Sequence, residues 1–321
     1  MGFTFGPEQH REAQAWPECI GIWETVQEFI TERDEKVLGA LDLAARSRLP
    51  VFGCAPMASG RRLANILLVG DLAAFGVERV IAKGRLVAEN GRMIRPAEPP
   101  TRSHGLLRTF QNRRVQPSDF QLRADGTAQA VRVLSMRMSQ DVPFVRKRRE
   151  ATLAVQDGVV YPDLEQDVLY VTVVERFGKT SHHPVAFISG FGLREGAMAS
   201  SASPDDNNIL CIGTNPADIC EAVNRVAGAG GGQVVVRGGE GLAWLPLPIG
   251  GIVADLPPEE MAIEEAKLDD AARQLGCTFA SPFMYMIFLS VTAIPDYAMT
   301  DLGLIDCVNL RVVSPVLGPA G

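Results

Sequence analysis

The chain has 321 residues, room for about two domains, and its 46% hydrophobic and 21% charged residues suit a chain that buries an ordinary core. A formal charge of −7 argues against a nucleic-acid partner, whose footprint is a basic face. The six cysteines (Cys19, Cys54, Cys211, Cys220, Cys277, Cys307) contain no CxxC pair, a pattern of free thiols in a reducing compartment and not of a disulfide framework or a zinc knuckle.

The opening stretch MGFTFGPEQHREAQAWPE (1–18) is polar and has no apolar signal core. Residues 26–47 read as an amphipathic helix, with Val26, Phe29, Ile30, Val37, Leu38 and Leu41 at helical spacing between charges. Pro50 and the turn-like GCAPMASG (53–60) end it. Three short runs, ILLVG (66–70), VERVIA (77–82) and RLVA (85–88), are split by Gly76 and by Lys83-Gly84 and predict a hairpin or meander. Residues 92–118 combine prolines, polarity and little periodicity, as a linker does.

Beyond the linker, strands and helices mix. AVRVLSM (130–136), VLYVTVV (168–174), VAFIS (185–189), ILCIG (209–213), QVVV (233–236) and LAWL (242–245) predict strands. The basic run Arg146–Arg149 reads as a solvated turn or strand end. A helix is predicted from Pro216, capped by Asn215 and buried through Ile219, Ala222, Val223 and Val226. A second spans about Pro258 to Leu275, buried through Met261, Leu268, Ala271 and Leu275 and stopped by Gly276. The longest apolar stretch, 283–294, lies between Pro282 and Pro295 and is too short to cross a bilayer. These patterns predict a cytoplasmic protein without a membrane segment, of α+β (mixed α/β) class, with layered sheets and helices.

Three features invite chemistry. Gly228, Gly230, Gly231 and Gly232 resemble a phosphate loop by composition, yet they follow a helix and precede a strand. That order places them at a helix C-cap and a tight reversal rather than at an anion-binding N-terminus. The segment ASSASPDDNNI (199–209) concentrates serine, aspartate and asparagine ahead of a buried strand; it reads either as site residues or as an Asx-rich turn. Of the four histidines (His10, His104, His182, His183), the adjacent pair points to opposite faces of an extended segment, and neither HxH nor HExxH occurs.

ERFG (175–178), FISGFGLREGAMASSASPDDNNILCIGTN (187–215), AVNRVAGAGGGQVVV (222–236), LPLPIGGI (245–252) and PFMYMIFLSVTAIPDYAMTDLGLIDC (282–307) follow one another in an order that resembles the C-terminal domain of adenine deaminases; PSDFQL (117–122) is similar to its beginning. ANILLVGDLAAFGVERVIAKGRLVAENG (64–91) resembles the small β-segment that closes the amidohydrolase barrel in that family. The resemblance implies a barrel remnant at 1–60, a small β-segment at 61–100, a linker at 101–117 and the adenine-deaminase-like domain at 118–321. It implies hydrolysis of adenine to hypoxanthine and ammonia at a divalent manganese or iron site. Glu24, in GIWETV (21–26), resembles the bridging glutamate, and Cys54, in VFGCAPMASG (51–60), stands where an imidazole is expected; these are the metal candidates.

The family's HxH, later-histidine and aspartate strands have no counterpart in this sequence. Where the family carries His-Asp-Ser-His-Asn, this chain reads Pro204-Asp205-Asp206-Asn207-Asn208, and Phe177 stands where a histidine is common. Asp205 and Asn208 are kept and are the catalytic candidates; Ser200, Ser201 and Asp206 are the substrate-binding ones. The implied protein is inactive alone or dependent on a separate barrel-bearing chain or a homo-oligomer, the alternative being a non-catalytic purine-binding, regulatory or scaffold relative. A reduced barrel also predicts apolar surface on 20–60 and a dimer or larger assembly through it.

Overall fold

A computed structural model describes residues 46, 65–71, 76–82, 84–94, 109–124, 126–138, 145–203 and 206–320. The helix expected over 26–47 and the barrel remnant fall outside them, apart from Arg46. The chain divides into two compact units, Met1–Pro100 and Thr101–Gly321.

In the first unit β1 (Asn65–Asp71), β2 (Gly76–Ala82), β3 (Arg85–Glu89) and β4 (Arg92–Met93) form an antiparallel meander in chain order. The three expected runs are all strands, and a short fourth extends into the stretch read as linker. Arg79 and Glu89 lie opposite each other in the register and form an ion pair at 2.8 Å.

The second unit is built on a ten-stranded sheet. Its strands are β5 (Ala130–Arg137), β6 (Lys147–Gln156), β7 (Val159–Val160), β8 (Val168–Val174), β9 (Val185–Ser189), β10 (Ala197–Ser200), β11 (Ile209–Gly213), β12 (Gly232–Arg237), β13 (Glu240–Pro246) and β17 (Val316–Pro319). The order is β13-β12-β10-β11-β8-β9-β5-β6-β7, with β17 also on β5. All pairs are antiparallel except β5 with β9, so β5 meets β17 along its first half and β9 along its second.

All seven residues of β8 are buried, because both faces of the sheet are covered. Leu169, Val171 and Val173 join one core and Val168, Tyr170 and Val174 the other, the period-2 alternation of a strand between two layers. The second core is closed by α1 (Pro216–Gly228), which lays Ile219, Ala222, Val223 and Val226 on the sheet as its periodicity predicts. The first is closed by α2 (Pro258–Gln274) through Leu268, Ala271 and Ala272, by α3 (Pro282–Met286), and by a small antiparallel sheet of β14 (Tyr297–Thr300), β15 (Gly303–Asp306) and β16 (Arg311–Val313). Each large apolar side chain so buried contributes about 1.5–3 kcal/mol. The result is an α+β unit in layers.

The glycine cluster is structural. α1 ends at Gly228, Gly230 and Gly231 take φ +75 and +121, and Gly232 opens β12. Any Cβ on Gly231 would strike the backbone of Gly251, and one on Gly232 would strike the Trp244 ring.

One expectation is corrected in part. Lys147 and Arg148 are exposed at the start of β6, but Arg146 is wholly buried. Its guanidinium donates to the carbonyls of Phe288, Val291 (2.8 Å) and Ile294, which end the apolar segment after α3. Strands β6 and β10 were not foreseen. β6 hides its pattern behind a basic face, and β10 (AMAS) is built of small residues and a methionine.

At the head of α1, Asn215 has extended backbone, and its Oδ1 accepts the Asp218 N–H at 2.9 Å. Asn215→Ala should therefore cost about 1 kcal/mol and lower Tm by about 2–4 °C in a thermal melt, with Asn215→Asp close to wild type.

Candidate functional site

The polar segment lies between β10 and β11, adjacent antiparallel strands in the middle of the sheet. Strand pairing fixes both of its ends. Ser200, at the end of β10, is fully buried; its hydroxyl accepts the Ala202 N–H at 3.1 Å and the Gln233 carboxamide at 3.3 Å. Ser201 ties three segments together. Its N–H donates to the Gly232 carbonyl (3.0 Å), while its hydroxyl accepts the Gly232 N–H (2.9 Å) and donates to the Gly251 carbonyl (2.5 Å). Ser203 shares a 2.6 Å hydrogen bond with Ser290. Both predicted serines hydrogen-bond within the fold; Ala202, between Ser201 and Ser203, is partly buried against the first core and lines a cavity.

The far end of the segment holds Arg176. The Asn208 Oδ1 accepts the Arg176 backbone N–H at 3.3 Å, and the Asp206 carboxylate accepts the Asn208 N–H at 3.2 Å. Arg176 is 2% exposed. Its guanidinium lies 4.4 Å from the Phe110 ring centre and 4.7 Å from that of Phe177, and donates to Thr109 Oγ1 (3.2 Å) and the Gly250 carbonyl (2.9 Å). Its Nε has no hydrogen-bond partner among the described residues. Burial pulls its pKa down to about 10, opposed by the charge of Asp206, so it remains a cation at neutral pH. Its neighbour Glu175 closes a local turn, accepting the N–H groups of Phe177 (2.7 Å) and Thr180 (3.0 Å). Burial pushes the Asp206 carboxyl up; hydrogen bonds from Asn208 and Ser203 oppose the shift and Asp301 adds to it.

The structure thus brings Ser200, Ser201, Asp206 and Asn208 into one connection. Asp205, Glu24 and Cys54 lie outside the described residues. Sequence reasoning missed Gln233 and Ser290, which act through long-range contacts, and did not single out Arg176 within ERFG; an arginine just past a mostly apolar strand was the available signal. Beside Ala202 opens a cavity of about 290 Å³, lined among others by Gln233, Leu247, Met261 and Phe283.

A divalent metal does not fit the described residues. Among them no three His, Cys, Asp or Glu side chains converge on a point. His183 packs edge-on against Phe120 with its Nε2 3.8 Å from Asp119, while His182 is exposed. Cys211, Cys220 and Cys277 are buried, and burial pushes all three thiols up, Cys277 to about 11, away from the thiolate a metal needs.

Residues 143–311 match the family described as the adenine deaminase C-terminal domain. The chain is 39% identical to adenine deaminase 4 of Rhizobium meliloti over 442 positions, covering all of this chain and 74% of that protein. It is 36% identical to adenine deaminase 1 of Desulfotalea psychrophila, over 99% of this chain and 73% of that one. Adenine deaminase 1 of Latilactobacillus sakei is 46% identical over 81% of this chain but only 43% of its own length. The first alignment uses the whole chain, yet its 442 positions outnumber the 321 residues, so about 120 of them face no residue here.

Two outcomes follow from the site's geometry. Gly251 has φ +76, and a Cβ there would overlap the Arg176 guanidinium and approach Phe110 to 2.7 Å. Gly251→Ala should cost at least ~2 kcal/mol in urea unfolding. For Asp206, the folded pKa is raised above the unfolded value, so its contribution to stability is present at low pH and lost as pH rises through the folded pKa. Urea unfolding of wild type and Asp206→Asn from about pH 4 to about pH 7 should show the variant gaining on wild type as pH rises; a constant difference would refute this.

Proposed function

The chain belongs to the adenine deaminase family, and from that membership we propose that it serves the hydrolysis of adenine to hypoxanthine and ammonia as the portion without a complete metal centre. It is inactive alone and acts with a barrel-bearing chain, or with a barrel assembled across a homo-oligomer. The observation that carries this reading is the internal gap: the alignment with the Rhizobium meliloti deaminase passes over about 120 positions that this chain lacks. Two facts support it: no HxH occurs in the sequence, and no metal-ligand cluster exists among the described residues.

In such a reaction a divalent ion would supply activated water for attack at C6 of the purine. This chain's part is to present the connection between β10 and β11 to the reacting base. Asp205 moves the proton there, and Asn208, held by Asp206 and by the Arg176 backbone, fixes the direction of the turn. Ser200 and Ser201 keep the turn rigid beneath the substrate, which is how a loop site attains working precision. Glu24 and Cys54 are the residues this chain would bring to the shared metal.

The test is ammonia release from adenine by the purified chain at high concentration with Mn²⁺ or Fe²⁺ added. No turnover is expected from the chain alone. Adding a chain that carries the HxH barrel should restore it, and Asp205→Ala should then lower kcat by about 10²-fold or more. Turnover by the chain alone that Glu24→Gln abolishes would overturn the reading; silence in every combination, from folded protein, would favour the non-catalytic relative.

A further inference from the structure

The connection between β10 and β11 differs from the family signature at two neighbouring positions. Where the family carries His-Asp-Ser-His-Asn, this chain reads Pro204-Asp205-Asp206-Asn207-Asn208, so an imidazole is lost at 207 and a carboxylate is gained at 206. The backbone at 207 explains the first change. Asn207 has φ +49, in the left-handed region that asparagine, aspartate and histidine enter more readily than other side chains do. Asparagine there keeps the turn and removes its titratable group; Asp206 puts one back.

Hydrogen bonds hold Asp206 on every side. The Asn207 N–H donates to the Ser203 carbonyl at 2.8 Å, closing the turn around it. One carboxylate oxygen accepts the Asn208 N–H at 3.2 Å and the other accepts its Nδ2 at 3.5 Å. The Ser203 hydroxyl bonds the same carboxylate and shares its 2.6 Å bond with Ser290, so a chain of exchangeable protons runs from Asp206 into the interior. Two charges bear on it: Asp301, in the turn from β14 to β15, and the buried Arg176 guanidinium. Its side chain is half-buried, so part of it meets whatever occupies the space above the turn. Burial, with Asp301 adding to it, pushes the carboxyl up, toward the range in which a group both gives and takes a proton near neutral pH.

Given the deaminase reading above, on which this rests, we infer that Asp206 is a second proton carrier of the site. It does the work of the imidazole missing at 207, while Asp205 keeps its own role. Once water has added its oxygen to C6 of adenine, the amino group must leave the same carbon. The protonated Asp206 carboxyl gives its proton to that nitrogen, the C6–N bond breaks with its electron pair going to nitrogen, and ammonia departs. The C6 hydroxyl returns its proton to the Asp206 carboxylate as the carbonyl of hypoxanthine forms, so the group ends as it began. Ser203 is a positioning residue, since it touches Asp206 and not the base.

The first test needs no turnover. In the full chain with carbon-13-carboxyl aspartate, the resonance lost in Asp206→Asn should titrate above those of the exposed aspartates. Ser203→Ala removes a hydrogen bond to the charged form and should move that midpoint further up. An Asp206 that titrates with the exposed aspartates overturns the inference. The second test is ammonia release from adenine by the chain mixed with a barrel-bearing chain. Asp206→Asn should lower kcat at least about 10²-fold and leave KM within about twofold. Asn207→His added to that variant should recover at least about tenfold, with kcat then following a group that titrates near about pH 6.5. Wild-type kcat in Asp206→Asn overturns the inference and leaves the deaminase reading standing, whereas no ammonia from the wild-type mixture overturns both.

Discussion

Arg176 carries a full positive charge where almost none of its surface meets water, and a buried charge is tolerated only when its surroundings replace the lost solvent. Much of this end of the sheet can be read as that replacement. Two aromatic faces and the Gly250 carbonyl receive the guanidinium, and the carboxylate of Asp206 supplies the opposite charge nearby. The neighbouring turn must then run so close that residue 251 has no room for a side chain, and Ser201 holds that turn to β12. Asn208 closes the circle by gripping the backbone of Arg176 itself. Asp206 bears the cost, kept from ionising freely by the burial that the cluster requires.

The sequence announced elements whose stability is local or whose two faces are both buried. β8, β9 and β11 are mostly apolar runs, interrupted only by Thr172 and ended in β9 by Ser189, and their observed bounds coincide with the runs read from the sequence. α1 starts where Asn215 and Pro216 place it, because a cap is a contact across three residues. β6 was hidden because only alternate residues such as Ala151 and Leu153 point inward, behind a basic outer face. Arg146 misled for a related reason: in a run of four cations nothing in the pattern says which one turns inward to collect carbonyls from residues more than a hundred positions away.

The site was legible in its residues and illegible in its wiring. Serine, aspartate and asparagine in one segment identified the connection between β10 and β11, and the family signature narrowed it further. That the serines brace Gly232 and Gly251, and that the cavity wall is completed by a helix sixty residues on, are facts of tertiary packing.

The divided allegiance of β5 has a kinetic meaning. Val131 and Val133 pair with residues 319 and 316, at the opposite end of the unit's sequence, so half of that strand's edge has no neighbour until nearly the whole unit has been synthesised. Contacts of such long sequence separation form late and slow the search for the native state. In the interval β5 offers a row of unsatisfied amides flanked by apolar side chains, the kind of edge on which nascent chains pair with one another. Late closure by β17 makes crowding during synthesis, more than heat applied to the finished protein, the hazard this architecture has to survive.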